Sequence, residues 1–202
     1  MFDPPERSPE RDAAILALLP NVGLDGWTIP ALCATAGPDA DLLFPGGVTD
    51  MIDAYVDLGD RQMVEGAAAM DLQGLRVPAR VRSVIALRFR QQREHKEAVR
   101  RALSILALPG NAGLAVAITA RTVDSVWFAA GDTSADFSWY SKRAILAGVY
   151  GATLLYWLQD YSDEDEDTLG FLDRRLAGVG RVGHLRRRTD AFVQRMRRNR
   201  AA

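Results

Sequence analysis

Residues 12–60 of the chain read DAAILALLPNVGLDGWTIPALCATAGPDADLLFPGGVTDMIDAYVDLGD. Three helical patterns separated by turns follow one another here, as in a DNA-binding helix-turn-helix. Yet the stretch contains no lysine and no arginine. Affinity for DNA comes largely from basic side chains that release counterions from the phosphates. The stretch therefore predicts a DNA-binding scaffold without DNA-binding chemistry, and the function has to be sought downstream.

The acidic character of this stretch comes from aspartate alone. We expect its aspartates to form a negatively charged surface, which a nucleic acid would avoid. The eight residues are Asp12, Asp25, Asp39, Asp41, Asp50, Asp53, Asp57 and Asp60.

Helical patterns account for almost the whole chain. Ser8 and Pro9 predict the start of the first helix, and we expect Pro20 and Gly23 to end it. Thr28 is expected to cap the second helix. No run of residues alternates with a period of two, so the predicted fold class is all-α. The longer helices are predicted over residues 75–93, 101–108, 113–130 and 137–160.

No pattern in the chain carries recognisable catalytic or metal-binding chemistry. His95 and His184 have no partner at metal-ligand spacing. The single cysteine, Cys33, is interpreted as a buried and inert thiol. The acidic run 163–167 lacks the spacing of a calcium loop, and we interpret it as a solvated helix start. We therefore predict that the protein is not an enzyme and uses no cofactor and no metal.

The C-terminal part of the chain has the opposite charge. Residues 174–202 hold ten arginines and one acidic residue. Apolar side chains at helical spacing among these arginines are typical of helices that bind membrane surfaces. Nucleic acid is a less favoured target, and a solvated arginine-rich helix is the remaining interpretation. The predicted membrane-binding residues are Leu185, Arg186, Arg187, Arg188, Phe192, Val193 and Met196.

Residues 130–160 read AGDTSADFSWYSKRAILAGVYGATLLYWLQD, and residues 163–176 read DEDEDTLGFLDRRL. These strings resemble the signature of the Coq-nine family, accessory proteins of ubiquinone biosynthesis in mitochondria and alphaproteobacteria. Upstream, the chain shares the general plan of the family more than its residues. The matching positions are Gly131, Asp132, Asp136, Phe137, Trp139, Tyr140, Lys142, Arg143, Ala144, Leu146, Ala147, Tyr150, Gln159, Asp160, Phe171, Leu172 and Arg175.

The resemblance implies a TetR-like helical fold with an N-terminal helix-turn-helix-like subdomain. It also implies a helical body that forms a homodimer and encloses a cavity for an isoprenoid or another lipid. The family presents quinone precursors at a membrane to a di-iron demethoxyubiquinone hydroxylase. On this basis we divide the chain into the subdomain 1–60, the lipid-binding and dimerisation body 61–178 and the basic C-terminal helix 179–202.

The resemblance also implies a docking surface for the hydroxylase around the Trp-Tyr pair. It carries over to this chain as Asp136, Trp139, Tyr140 and Arg143. These positions share one face of a helix, and Trp, Tyr and Arg often dominate protein interfaces. The alternative is that Trp139 and Tyr140 pack into the core.

The cavity is located less sharply, on the three most apolar helices. An all-α domain needs a contiguous apolar centre in any case, so the alternative is that these side chains fill an ordinary core. The predicted lipid-binding residues are Leu103, Leu106, Trp127, Phe128, Leu146, Val149, Tyr150, Leu154 and Trp157.

The favoured function is therefore a lipid carrier for ubiquinone synthesis. The alternatives are a TetR-type ligand-responsive transcriptional regulator and a lipid-independent helical interaction protein. Asp39 and Asp41 on the third helix disfavour DNA, so we predict no nucleic-acid partner. The segment 1–12 lacks the apolar core of a signal peptide and the pattern of a transit peptide. The predicted location is the bacterial cytoplasm, with peripheral association to the inner membrane.

Overall fold

The computed structural model of the chain describes residues 3–132 and 138–178. Every regular element within these ranges is a helix, which confirms the all-α prediction. Short 3-10 helices occupy Ala40–Leu43, Arg93–His95, Pro109–Asn111 and Asp163–Asp165. The α-helices are α1 (Pro9–Asp25), α2 (Ile29–Ala36), α3 (Val48–Ala68), α4 (Val77–Gln92), α5 (Lys96–Leu106), α6 (Ala112–Ala129), α7 (Ser138–Trp157) and α8 (166–178).

The first two helices begin where local capping places them. The Ser8 hydroxyl accepts a hydrogen bond from the backbone N–H of Arg11 at 3.1 Å. The Thr28 hydroxyl accepts one from the N–H of Ala31 at 3.3 Å. Such caps satisfy N–H groups that have no partner within the helix. Both predicted helix starts are therefore confirmed.

The predicted end of α1 at Pro20 and Gly23 is wrong, because α1 continues to Asp25. Pro20 cannot donate to the carbonyl of Leu16, and this missing hydrogen bond lies on the side of α1 where Leu16 is 49% exposed. Val22, one helical turn from Leu18, is fully buried and holds the last turn against the core. The burial of α1 thus outweighs the local cost of the proline.

The body of the protein is built around α3, which packs against α6, α4 and α1. Helix α7 lies on α6. In the core, the ring of Phe89 stacks on those of Tyr150 and Trp157, with centroids 5.9 and 5.2 Å apart. The predicted boundary between residues 60 and 61 falls inside α3, which runs from the helix-turn-helix-like part into the body.

No single helix among residues 3–132 and 138–178 is both long and apolar enough to cross a membrane. One pair of segments, Val77–Leu106 and Pro109–Ala129, meets those criteria jointly, but a 96° bend separates the two.

The acidic stretch 12–60 is largely neutralised by arginines from outside it. Five of its eight aspartates form ion pairs, so the expected acidic surface is wrong for these five. Asp57 and Asp60 are buried as well. Only Asp57–Arg61, an i,i+4 pair within α3, is visible in the local sequence. The other pairs join residues that are far apart in the chain, and local sequence does not show them. The pairs are Asp12–Arg61, Asp50–Arg11, Asp53–Arg121, Asp57–Arg7, Asp57–Arg61 and Asp60–Arg88.

The acidic run 163–167 is not the fully solvated helix start that its composition predicts. Asp165 is buried, and its carboxylate lies 3.0 Å from Arg93 Nε and 3.0 Å from Lys96 Nζ. These cations lie at the junction of α4 and α5. The run therefore anchors the start of α8 to the body.

Asp160 ties the turn between α7 and α8 together. Its Oδ2 accepts hydrogen bonds from the backbone N–H and the hydroxyl of Thr168, at 2.8 and 2.5 Å. Its Oδ1 accepts from the N–H and hydroxyl of Ser162. Burial raises the pKa of Asp160, but these four hydrogen bonds outweigh that effect and lower it to about 2.

We expect Asp160→Ala to lower the free energy of unfolding by about 2 kcal/mol at pH 7, because a cap and charge-assisted hydrogen bonds are lost. The folded pKa lies below the usual value, so this contribution is present above about pH 4 and is lost as the pH falls towards 2. Urea unfolding at pH 7 and pH 3 measures it. Asp163→Ala, at an exposed position of the same turn, is the control, and equal urea midpoints for the two variants would contradict the assignment.

Candidate binding cavity and partner surface

A cavity of about 300 Å³ lies between α3, α4, α5, α6 and α7. Its walls are mostly aliphatic, and polar side chains are confined to a few positions on α3, α4, α6 and α7. Pockets for small molecules measure roughly 300–1,000 Å³ and are mainly apolar with a few placed polar groups. The centre of the body therefore has room for part of a lipid rather than being completely filled.

Four of the nine predicted lipid-binding residues line this cavity, namely Leu103, Leu106, Tyr150 and Leu154. Three others, Trp127, Leu146 and Val149, line a smaller neighbouring cavity of about 180 Å³. The two cavities lie on different sides of α7, since Val149 and Tyr150 are adjacent in the chain.

The remaining two predicted residues lie elsewhere. Trp157 is completely buried and stacks on Phe89. Phe128 is 73% exposed and lines a separate surface cleft beside Arg7. It follows Trp127 directly, so it points about 100° further around α6, away from the core. The prediction that Phe128 lines the central cavity is therefore not met.

Residues that the sequence interpretation missed form the polar end of the cavity. Arg88 Nη2 lies 3.2 Å from Asp60 Oδ1 and donates to the carbonyl of Val56 at 3.2 Å. The other oxygen of Asp60 accepts from the hydroxyl of Thr122 at 2.8 Å. This network joins α3, α4 and α6 at one end of the cavity. The sequence signal is weak, because Arg88 is one of several arginines in α4.

A second polar pair lies beside this network. Gln92 Nε2 donates to the Tyr55 hydroxyl at 3.0 Å, and both side chains line the cavity. Burial raises the pKa of Tyr55 to about 12, so this hydroxyl is neutral at physiological pH.

Burial also governs the ionisation of the charged pair. It raises the pKa of Asp60 to about 6, against the opposing effects of Arg88 and of the Thr122 hydrogen bond. The pKa of Tyr150 is raised by burial too, and Arg88 beside it acts in the opposite direction. The polar end therefore offers hydrogen-bond donors in an apolar environment, which suits binding of a polar group.

Two of the four predicted partner-binding residues are described, and both line one groove. Tyr140 is 73% exposed, and Arg143 donates a hydrogen bond to Asp124 of α6. The groove measures about 560 Å³ between α6 and α7. Trp139 belongs to α7, but its side chain, like the whole of Asp136, lies outside the described residues. The predicted membrane-binding residues, 185–196, also lie outside them.

Comparison with known proteins relates the second half of the chain to one family. Residues 112–183 match the family model COQ9. The ubiquinone biosynthesis protein COQ9, mitochondrial, of Rattus norvegicus is 42% identical over 104 residues, 52% of this chain and 33% of the relative. The Homo sapiens protein of the same name is 40% identical over the same shares. That of Schizosaccharomyces pombe is 28% identical over 71% of this chain and 57% of the relative.

The chain therefore spans about a third of the length of the mammalian relatives it matches. Among solved structures, a TetR transcriptional regulator from Nitrosomonas europaea superposes with a TM-score of 0.69. The superposition covers 84% of this chain and 97% of the regulator, and the two sequences are 22% identical. This likeness confirms the TetR-like fold.

The same relatives overturn the predicted location. They are named as mitochondrial proteins, which contradicts placement in the bacterial cytoplasm at the inner membrane. That prediction relied on composition and on the segment 1–12, and neither reports a compartment directly. The resemblance predicted from residues 130–160 is nevertheless confirmed: residues 112–183 match the COQ9 family model, and the fold of the chain is TetR-like.

Proposed function

We propose that this chain is a non-catalytic accessory protein of ubiquinone biosynthesis that binds an isoprenoid or another lipid in its central cavity. It presents quinone precursors at a membrane surface to a di-iron demethoxyubiquinone hydroxylase. The names of its relatives support the pathway. The observation that carries lipid binding is the apolar cavity of about 300 Å³ between α3 and α7.

The cavity suits the chain of a lipid because aliphatic side chains form its walls. Leu103, Leu106 and Ile118 contribute from α5 and α6, and Leu154 contributes from α7. Transfer of apolar surface from water to such walls stabilises a complex by roughly 25 cal/mol per Å². A volume at the lower end of the range for ligand pockets favours one part of a long isoprenoid over the whole molecule.

The partner surface follows from the groove between α6 and α7. The exposed aromatic ring of Tyr140 and the guanidinium of Arg143 line it, beside apolar side chains such as Val116. Aromatic and arginine side chains of this kind anchor many protein interfaces. We propose that the hydroxylase docks in this groove and that a membrane surface binds the arginine-rich residues 185–200. We also propose that two copies of the chain form a homodimer.

A TetR-type transcriptional regulator is the second candidate, and the superposition with such a regulator favours it. The position of the DNA-reading helix argues against it. There the chain has a four-residue 3-10 helix, Ala40–Leu43, with Asp39 and Asp41 exposed. Exposed carboxylates repel phosphates, so we expect no sequence-dependent binding to DNA in a gel-shift assay at low salt.

Lipid retention by the purified protein tests the proposal. Ala115 lines the central cavity and its neighbour Val116 does not, although both lie on α6. We expect Ala115→Phe to fill the cavity and to reduce the lipid recovered by solvent extraction at least fivefold. Val116→Phe is the matched control and should retain lipid like the unsubstituted protein. Mass spectrometry identifies the lipid, and equal recovery from all three proteins would reject the cavity as the binding site.

A further inference from the structure

We propose that the ligand enters the central cavity head first and that Arg88, at the floor, binds an oxygen of a neutral head group. This inference rests on the proposed function, since it concerns the same cavity. It specifies the class of ligand as a lipid whose head carries hydrogen-bond-accepting oxygens without a full charge, such as a substituted benzoquinone ring.

The cavity has an apolar mouth and a polar floor. At the mouth, Ala107 and Leu155 are exposed to solvent. At the floor, Arg88 is only 1% exposed, and Thr122 beside it is buried as well. Along α6, Ala115 and Thr122 both line the cavity and lie seven residues apart, which is about 10 Å of helix. A ligand with a polar head and an apolar chain therefore matches the cavity with its head inward.

The floor has buried donors that lack a well-formed hydrogen bond. Nε and Nη1 of Arg88 are buried and make no hydrogen bond of normal geometry with the described residues, although the hydroxyl of Tyr150 lies close enough to interact with this guanidinium. Buried polar groups in proteins are nearly always hydrogen-bonded, and an unmatched one is unfavourable. Tyr55 accepts from Gln92, which leaves its hydroxyl proton available to a ligand. An oxygen placed at the floor would satisfy these donors.

The charge balance at the floor selects against an anionic head. Asp60 lies 3.2 Å from Arg88 and offsets its positive charge. A carboxylate or phosphate head would bring a second negative charge beside Asp60 in a buried environment, which is unfavourable. A carbonyl or methoxy oxygen accepts the same hydrogen bonds without adding charge. The floor therefore suits a neutral oxygenated ring.

Three probes with the same ten-carbon chain test the inference by equilibrium dialysis with the full chain. Their heads are a dimethoxybenzoquinone, a benzene ring and a carboxylate. The variant combines Arg88→Met with Asp60→Asn, so that no lone buried charge remains. We expect its dissociation constant for the quinone probe to rise at least tenfold and that for the alkylbenzene to stay unchanged. The matched control combines Arg82→Met with Asp173→Asn, which removes an exposed ion pair of α4 away from the cavity, and it should change neither value.

Each of the other outcomes also supports or overturns the inference. An unchanged quinone affinity in the double variant overturns the role of Arg88 and leaves lipid binding intact. If the double variant does not fold, the affinities of the unsubstituted protein test the inference by themselves. This protein should bind the quinone probe more tightly than the carboxylate probe. Tighter binding of the carboxylate probe overturns the proposal that the head group is neutral. Absence of binding for all three probes overturns the proposed function together with this inference.

Discussion

Gly59→Ala is expected to destabilise the protein by about 3 kcal/mol, although glycine to alanine in a helix interior usually stabilises by up to about 1 kcal/mol. A Cβ at residue 59 would lie 1.8 Å from Nη1 and 2.6 Å from Cζ of Arg88. Arg88 is fully buried and held by Asp60, so its guanidinium cannot move aside without breaking the buried pair. A decrease in the free energy of unfolding, rather than an increase, would therefore show that α4 approaches α3 closely at Gly59.

The matched control for this substitution is Gly148→Ala in α7. A Cβ at residue 148 would meet nothing within 4 Å, so this change should leave stability unchanged or raise it. Both free energies of unfolding come from urea titrations followed by circular dichroism. Stabilisation by Gly59→Ala to the same extent as the control would show that Arg88 does not occupy the space beside Gly59.

Arg88→Met alone is expected to cost about 4 kcal/mol at pH 7, because it leaves the Asp60 carboxylate buried without its counter-charge. The combined change with Asp60→Asn should recover most of this loss, because a buried pair replaced as a unit leaves no lone charge. Thermal and urea unfolding of the single and double variants measures the difference. A double variant as unstable as the single one would contradict the pairing.

The loss caused by Arg88→Met should also depend on pH. Burial already raises the pKa of Asp60 to about 6, and removal of Arg88 removes an effect that lowers it. Because the folded pKa lies above the unfolded value of about 4, the folded state holds a proton that the unfolded state releases between these values. Its stability therefore falls as the pH rises through this window. The unsubstituted protein shares this fall up to about pH 6, so the deficit of the variant should widen only above pH 6, be largest at pH 7–8 and stay constant between pH 4.5 and 6.

The parts of the fold that local sequence predicts correctly depend on local interactions. Ser8 and Thr28 cap their helices through hydrogen bonds to residues three positions away. Pro20 was predicted to end α1, but the helix continues to Asp25 because its burial against the core outweighs the local effect of the proline. The acidic surface expected for residues 12–60 is wrong for the same reason. Most of the arginine partners come from other helices or from the preceding segment, and only Arg61 pairs with Asp57 within α3.

The candidate site was predicted in part for a related reason. Leu103 and Leu154 are predicted because they lie on the most apolar helices, and both line the cavity. A search for apolar helices passes over an arginine, so it could not place Arg88 at the floor of a cavity. Gly59 is the one local signal, because a small residue on α3 makes room for that guanidinium. That signal can be recognised only when the packing of α3 on α4 is known.

Binding of the lipid in the cavity between α3 and α7 can be tested by labelling that cavity from within. The most direct measurement is photolabelling of the purified full chain with a benzoquinone probe that carries a diazirine at the end of a ten-carbon chain. Peptide sequencing by mass spectrometry then locates the label. If the lipid occupies the cavity, we expect labelled residues at the mouth, within 103–107 and 154–155. Label confined to the outer groove beside Tyr140, or scattered over the surface, would contradict it.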